Sequence, residues 1–400
     1  MPTPPTLAAA LVQALRSQGR RPSTTGSDAP TWSEVADRSR RLSIGLAEAG
    51  WAGQPMAVEP SGRPSVDIER ELAVLTAGAI LALPGSDPAA RIADEGLHPR
   101  DQPSLTLAEV VAAGEDCDAR DPAGAERRLA ALDPSAPACV EGRRTLTHGE
   151  VHWGLRAVHR WLTPAFPDGG PAAVVAGGRT GGSALSAALV GRWWPATLGA
   201  RLAPEPSSVI EVGDVAADLV LLDGPAWAAL AGRARERAAH SLGGGALLRR
   251  GRLVVSGESR SGIDRAALHG LRWWAGDRVR HGAGLGGLRL GLALEPVDVA
   301  TRRDLAAVGV ALASTWTVEG AAAPLAAGPV APADPTASWG RPLPGRRIEL
   351  VGAGAVAFGG DLPEEGLAAP GPGRVDGRGR VALPGRPRSD PRSVGAGAGR

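Results

Sequence analysis

The sequence predicts an α/β protein built of parallel or mixed sheets with helices on their faces. Three observations carry this: the first 90 residues read as alternating helices and strands, the same order recurs 116 positions later, and the chain is long and apolar enough for large cores. Alternation of this kind favours a parallel sheet, because each crossover helix packs back on the strands it joins. Four hundred residues, 43% of them hydrophobic, correspond to two or three domains.

Residues 6–16 read as a helix. Thr31-Trp-Ser-Glu34 is a capping box, in which the Thr31 oxygen takes the third amide and Glu34 reaches back, so a second helix starts there. Val35, Leu42, Leu46 and Ala49 follow at helical spacing, and Gly50 supplies the left-handed stop. Pro55-Met-Ala-Val58 is a short strand, Ile68 to Ala77 a helix closed by Gly78, and Ala79 to Leu83 a buried strand ended by Pro84.

The pattern then repeats. Thr147-His-Gly-Glu150 is a second capping box and Pro171-Ala-Ala-Val174 a second strand; between 31–63 and 147–179, 12 of 33 positions are identical without a gap. This points to an internal duplication, set against two unrelated units that share a generic cap. The stretch 113–136, rich in Ala, Asp and Arg, reads as a linker. Further on, 216–222 and 251–256 read as strands, 264–272 and 298–308 as helices, and 346–351 with 354–358 as a hairpin. The expected organisation is a first α/β unit at 1–112, the linker, a second α/β unit at 137–345, a small β subdomain at 346–383, and a disordered tail at 384–400, where Pro and Gly dominate.

Composition excludes several functions. Forty-four basic residues face 42 acidic ones, and no basic run forms the footprint that nucleic acid requires. The chain has no Lys, so every cation is Arg, and mechanisms that need a side-chain amine are ruled out within it. The absence of Lys and Asn matches residue usage in GC-rich bacterial coding sequences. Cys117 and Cys139 show no CxxC spacing, so neither a disulfide framework nor a zinc knuckle is indicated. The longest apolar run, Leu72 to Leu83, is 12 residues, short of the about 20 that span a bilayer. The N-terminus has its charges after the apolar stretch, the wrong order for a signal peptide. A soluble, cytoplasmic protein is expected.

Several motifs have plainer explanations. His148 and His152 share a helix face with His159 further on, but HGEVH is not HExxH and Glu150 already serves the cap. Pro137-Ala-Cys139 lacks the second cysteine that a zinc deaminase pairs with HGE. Gly282-Ala-Gly284-Leu-Gly-Gly287 fits GxGxxG, and Ile348 to Gly354 places a strand before GxG, yet no convincing helix follows either. No GxSxG elbow is present, and an intact Walker A needs the missing Lys.

Larger strings carry a resemblance. PTWSEVADRSRRLSIGLAEAG, QPMAVEPSG and ERELAVLTAGAILALPGSDP, within 30–88, resemble the opening of the adenylate-forming (AMP-binding) superfamily, which includes acyl-CoA and aryl-CoA ligases. GLRLGLALEPVD at 287–298 is similar to its adenine loop, STWTVEG at 314–320 to its tyrosine-glycine-x-threonine-glutamate motif, and SWGRPLPGRRIELV at 338–351 to its glycine-arginine-proline segment. GRVDGRGRVALPGRPRSD at 373–390 is similar to the stretch leading into its hinge. The resemblance implies that Gly291, Ala293 and Thr315 lie at an adenine site, that Glu319 helps hold Mg2+, and that Arg386 is the arginine accompanying the ribose contact.

The departures fall on the chemistry. The superfamily's Lys-bearing, Gly-rich loop wraps the ATP phosphates, a task suited to oriented N–H groups. Two segments match its remnant: PACVEGRRTLTHGEV at 137–151, with the centre deleted, or Ser241 to Ser256, where Gly244, Gly245 and Arg249 or Arg250 survive. Thr315 and Val318 replace the motif's Tyr and Thr, and Gly371 falls where the ribose Asp belongs. The chain ends ten residues past Asp390, the hinge position, so the resemblance implies that the lid domain with its catalytic Lys is missing. It implies two classes of function: a catalytically impaired relative (a pseudoenzyme) that binds a nucleotide or acyl group or partners a full-length synthetase or carrier protein, and a divergent ligase that adenylates a small carboxylic acid with Mg-ATP. Tryptophan pairs 193–194 and 273–274 are candidates for lining an acyl pocket, or are core.

Overall fold

The computed structural model describes residues 6–382 apart from 26–27, 178–182, 205–216, 241–242, 256–257, 260, 271–276, 284, 295–296, 318–319, 325, 328–337, 352–354, 361–366, 373 and 376–380. Its first part runs α1 (Leu7–Gln18), α2 (Trp32–Glu48), β1 (Pro55–Val58), α3 (Pro64–Thr76), β2 (Ile80–Ala82), β3 (Ala90–Ile92), β4 (Leu97–Pro99), α4 (Leu107–Arg120), α5 (Gly124–Ala131), β5 (Pro137–Glu141) and β6 (Arg144–Thr147). The strands assemble in the order β4-β3-β1-β2-β5-β6, parallel in the centre and antiparallel at both edges.

The second part opens with α6 (His148–Leu162) and β7 (Ala173–Ala176). A continuous helical rod follows: α7 (Ala184–Ala188), a π turn at Leu189–Trp193, and α8 (Trp194–Thr197). Then come β8 (Arg201–Leu202), β9 (Leu219–Leu222), α9 (Gly224–His240), α10 (Gly244–Val255), α11 (Gly262–Gly270), α12 (Asp277–Gly282), β10 (Leu290–Ala293), α13 (Val299–Ala307) and β11 (Leu312–Trp316). Strands β8-β7-β9-β10-β11 are all parallel. Beyond β11, the strands β12 (Ala326–Ala327) and β13 (Ser338–Pro342) extend this sheet antiparallel. Strands β14 (Arg346–Val351), β15 (Ala355–Gly360) and β16 (Leu367–Pro372) form a separate antiparallel sheet, and β17 (Arg374–Val375) and β18 (Val381–Ala382) return to the large one.

The two parts share a connection pattern. Strand β1 crosses over α3 to its parallel neighbour β2 and has β3 on its other side; β7 crosses over the α7–α8 rod to β8 and has β9 on its other side. Both capping boxes form, and Thr106 with Glu109 makes a third at the start of α4. One core runs between the two sheets, and Leu290, Leu292 and Ala313 belong to the same buried cluster as helices of the first part. The outer face of the second sheet, with Val220, Leu222, Ala293 and Leu312, packs on Trp227, Leu248 and Leu305 of the covering helices. Alternate residues of each strand therefore serve different cores, as the strand period of two requires.

Three expectations need correction. The strand expected over 251–256 is not formed: 251–255 lie in α10, whose buried residues Gly244, Leu248, Gly251 and Val255 follow helical spacing, and that periodicity outweighs the β-branched Val254-Val255 pair. The stretch 113–136 is not a bare linker but carries the end of α4 and all of α5. Helix α4 lies against α2 so closely that a Cβ on Gly114 would fall 2.3 Å from the Arg41 carbonyl oxygen. Arg40 locks the contact with two bonds of 2.6 Å to Asp118. The boundary at 137 also divides a sheet, since β5 pairs with β2 and belongs to the first part. The hairpin expected around 346–358 is β14–β15. The tail from 384 lies outside the described residues.

Candidate functional site

In open parallel sheets the binding crevice lies beyond the carboxyl ends of the strands, where the order of connections reverses. Here the reversal falls between β7 and β9. The described residues beyond the strand ends on that side include Gly177 after β7, Asp223 after β9, Ser183 at the head of the α7–α8 rod, Leu294 after β10, and Thr317 and Gly320 after β11.

The β5–β6 hairpin reaches into this edge from the first sheet. Glu141 and Arg144 are paired, so only Gly142 and Arg143 form the turn, and Gly142 takes the positive φ of 59° that such a tight turn demands of one residue. Just before the turn, Glu141 is 2% exposed. Its Oε2 accepts the Ser183 hydroxyl at 3.0 Å and the Gly320 N–H at 2.6 Å, while Oε1 accepts the Leu185 N–H at 3.0 Å. Among the described residues no arginine forms an ion pair with it, so these donors carry the carboxylate.

Ser183 is doubly used, because its oxygen also takes the Ser186 N–H at 3.0 Å as the cap of α7. The Thr317 hydroxyl bonds the Leu294 carbonyl at 3.1 Å and accepts the Ser183 N–H at 3.3 Å, tying the ends of β10 and β11 to the rod. Gly320 has φ of 75°, and a Cβ there would meet the Arg144 side chain at 3.0 Å. Glycine is thus needed to bring its amide to Glu141. Cys139, two residues from Glu141, is fully buried, and burial pushes its thiol well above the usual range, with the Glu71 and Glu141 carboxylates adding to the shift. It is not a nucleophile.

The residues expected at an adenine site are found side by side but inward. Thr315 is fully buried and donates its hydroxyl to the Ala293 carbonyl at 3.0 Å. Gly291 faces the other core, where Trp227 lies so near that a Cβ would fall 2.5 Å from its ring. The indole N–H is bonded to the Leu292 carbonyl at 2.9 Å. Gly244 and Gly245 form the first turn of α10, and Arg250 is a half-exposed residue of that helix, 3.9 Å from Asp264 on α11. The structure therefore puts Gly244, Gly245 and Arg250 in the outer helical layer rather than with the β5–β6 turn. Glu319 and Arg386 lie outside the described residues.

The histidines do not gather either. His148 is buried at the start of α6, and among the described residues neither of its ring nitrogens has a partner. No group of three or more His, Cys, Asp or Glu able to hold a metal occurs among the described residues. Trp193 and Trp194 are core: the Trp193 N–H donates to buried Glu71 at 2.7 Å, and burial pushes the Glu71 carboxyl up while Arg192 opposes the shift. Trp273 and Trp274 lie outside the described residues. The GxGxxG string closes α12, with Leu285 N–H on the Arg280 carbonyl at 2.7 Å, and no strand leads into it.

Comparison with solved structures decides the fold. VinN in complex with L-aspartate superposes with a TM-score of 0.59 at 14% identity over 95% of this chain and 98% of that one. The chain has the adenylate-forming fold. A benzoate-CoA ligase from Burkholderia xenovorans LB400 gives 0.59 at 14% identity, covering 94% of this chain and 79% of its own. Wild-type E. coli MenE with a bound analogue of OSB-AMS gives 0.53 at 13% identity, over 93% and 76%. No family model matches the chain, and no curated protein does. Among the described residues no helix is long and apolar enough to cross a membrane.

Among the described residues, the two-residue β5–β6 turn offers no cradle of amides for a triphosphate, and the Ser183, Leu185 and Gly320 donors already hold the Glu141 carboxylate. Sequence reading had the string containing Glu141 in view yet missed its role, because partners 42, 44 and 179 positions away leave no local signal.

Proposed function

We propose that this protein is a ligase-like relative of acyl-CoA and aryl-CoA ligases that no longer forms acyl-adenylates and that retains binding of an acyl group or nucleotide without turnover. The observation supporting this is the two-residue β5–β6 turn. The segment 137–151 forms a strand, a tight turn, a second strand and a capped helix, which favours it as the remnant of the phosphate loop. The other candidate, 241–256, is largely helix α10. Without a phosphate cradle the developing charge of adenylation has no fixed donors, and such donors supply much of the acceleration in phosphoryl chemistry.

A protein of this kind serves as a sensor, or as a partner to a full-length synthetase or carrier protein, in a cytoplasmic setting. The competing reading is a divergent ligase that uses Mg-ATP through Glu319 and Arg386 on a small carboxylic acid. Thermal unfolding with Mg-ATP, AMP and a non-hydrolysable acyl-adenylate mimic separates them, because a ligand bound to the native state raises Tm by mass action. The proposal expects a rise with the mimic or AMP and none beyond AMP with Mg-ATP. Silence with all three overturns retained binding, whereas a larger rise with Mg-ATP that Glu319→Ala abolishes favours the ligase.

A further inference from the structure

A buried carboxylate is costly unless its oxygens are satisfied. Glu141 meets that requirement with an unusual set of donors: a serine hydroxyl and an amide at the head of a long helical rod, and a third group, the Gly320 amide, from the far end of β11. The helical run begun by Ser183 continues to Thr197, so its aligned peptide dipoles also favour negative charge there. Oriented amides and a hydroxyl around a planar anion are what a carboxylate ligand meets in a binding site. Here the chain supplies the anion itself. A nearby buried hydroxyl, Ser186 Oγ in the first turn of α7, has no partner among the described residues. The polar capacity of this spot therefore exceeds what Glu141 uses.

We propose that Glu141 is a built-in occupant of a carboxylate subsite formed by Ser183, Leu185 N–H and Gly320 N–H, and that its side chain closes the wild-type protein to small carboxylate ligands at this point. The subsite joins three segments that meet only in the folded chain, so the same carboxylate also latches the β5–β6 hairpin to the ends of the second sheet. The inference concerns the site discussed under the proposed function, but it stands without nucleotide, and its test uses none.

The test is chemical rescue. Glu141→Ala removes the carboxylate and leaves its donors unpaired. Thermal unfolding is followed in sodium formate or acetate against sodium chloride at the same ionic strength. The variant is expected to gain about 2 °C or more in formate over chloride, while the wild type responds alike to both salts. A folded Glu141→Ala that treats formate and chloride alike overturns the proposal. Should Glu141→Ala fail to fold, Glu141→Gln keeps the shape, and amide hydrogen exchange is read at Leu185 and Gly320. Both amides should be protected in the wild type and exchange about tenfold faster or more in the variant; equal protection in the two proteins contradicts a carboxylate latch. Failure of adenylate binding leaves either readout unaffected.

Discussion

The Gly320 amide donates to Glu141 Oε2 across 2.6 Å, although 179 positions separate the two in the chain. This bond fastens the edge hairpin of the first sheet to the last parallel strand of the second, at the crevice where an α/β sheet presents its ligands. Expected consequences follow from the residues around it.

Ser183 caps α7 and bonds Glu141 at once. Ser183→Ala removes an N-cap and leaves a buried carboxylate short of one donor, a combined loss of about 1–3 kcal/mol. Urea unfolding should show this loss, and Ser183→Thr should recover most of it. A Ser183→Ala protein as stable as the wild type contradicts the double role.

Gly291 is tested by filling it. Glycine inside a strand ordinarily costs about 0.5–1 kcal/mol relative to alanine, so a free position gains from Gly291→Ala. Contact with Trp227 reverses the sign: overpacking should cost about 1–3 kcal/mol, with a change in indole fluorescence. A stabilised variant would show that Gly291 faces open space, as an adenine site expects.

Helix α4 is tested in the same manner. In an exposed helix Gly114→Ala gains up to about 1 kcal/mol; against the Arg41 carbonyl it should destabilise the whole protein cooperatively. A neutral or stabilising result would mean that 113–136 behaves as a linker after all.

His148 sets a pH dependence. Burial lowers its folded-state pKa from 6.5 to about 4, so the unfolded chain takes up a proton that the folded one resists. The contribution is full above about pH 6.5 and is lost as pH falls through the window down to about 4, approaching 3 kcal/mol in order of magnitude. Unfolding free energy measured from pH 7 to 4 should decline in the wild type and flatten in His148→Leu. An equal decline in both proteins would assign it to other groups.

Much of the fold was legible because its signals are local. Thr31 with Glu34 and Thr147 with Glu150 announce their helices, and Pro55–Val58 its strand, all within a few residues. What misled was composition read without period: Val254-Val255 suggested a strand inside α10, and the charged run before Pro122 concealed a helix whose contact face is Val110 and Gly114. The site was less legible. The resemblance brought Gly291, Ala293 and Thr315 to one site, but burial and the neighbouring Trp227 depend on tertiary packing. The roles of Glu141, Ser183 and Gly320 arise only when two sheets meet.

The measurement that tests the central claim most directly is acid-dependent ATP–pyrophosphate exchange by the purified protein across a broad panel of aliphatic and aromatic carboxylic acids. From the folded protein, no exchange above the acid-free background is expected with any of them. Robust exchange with one acid, lost in Glu319→Ala, would contradict the account and establish a working ligase on this fold.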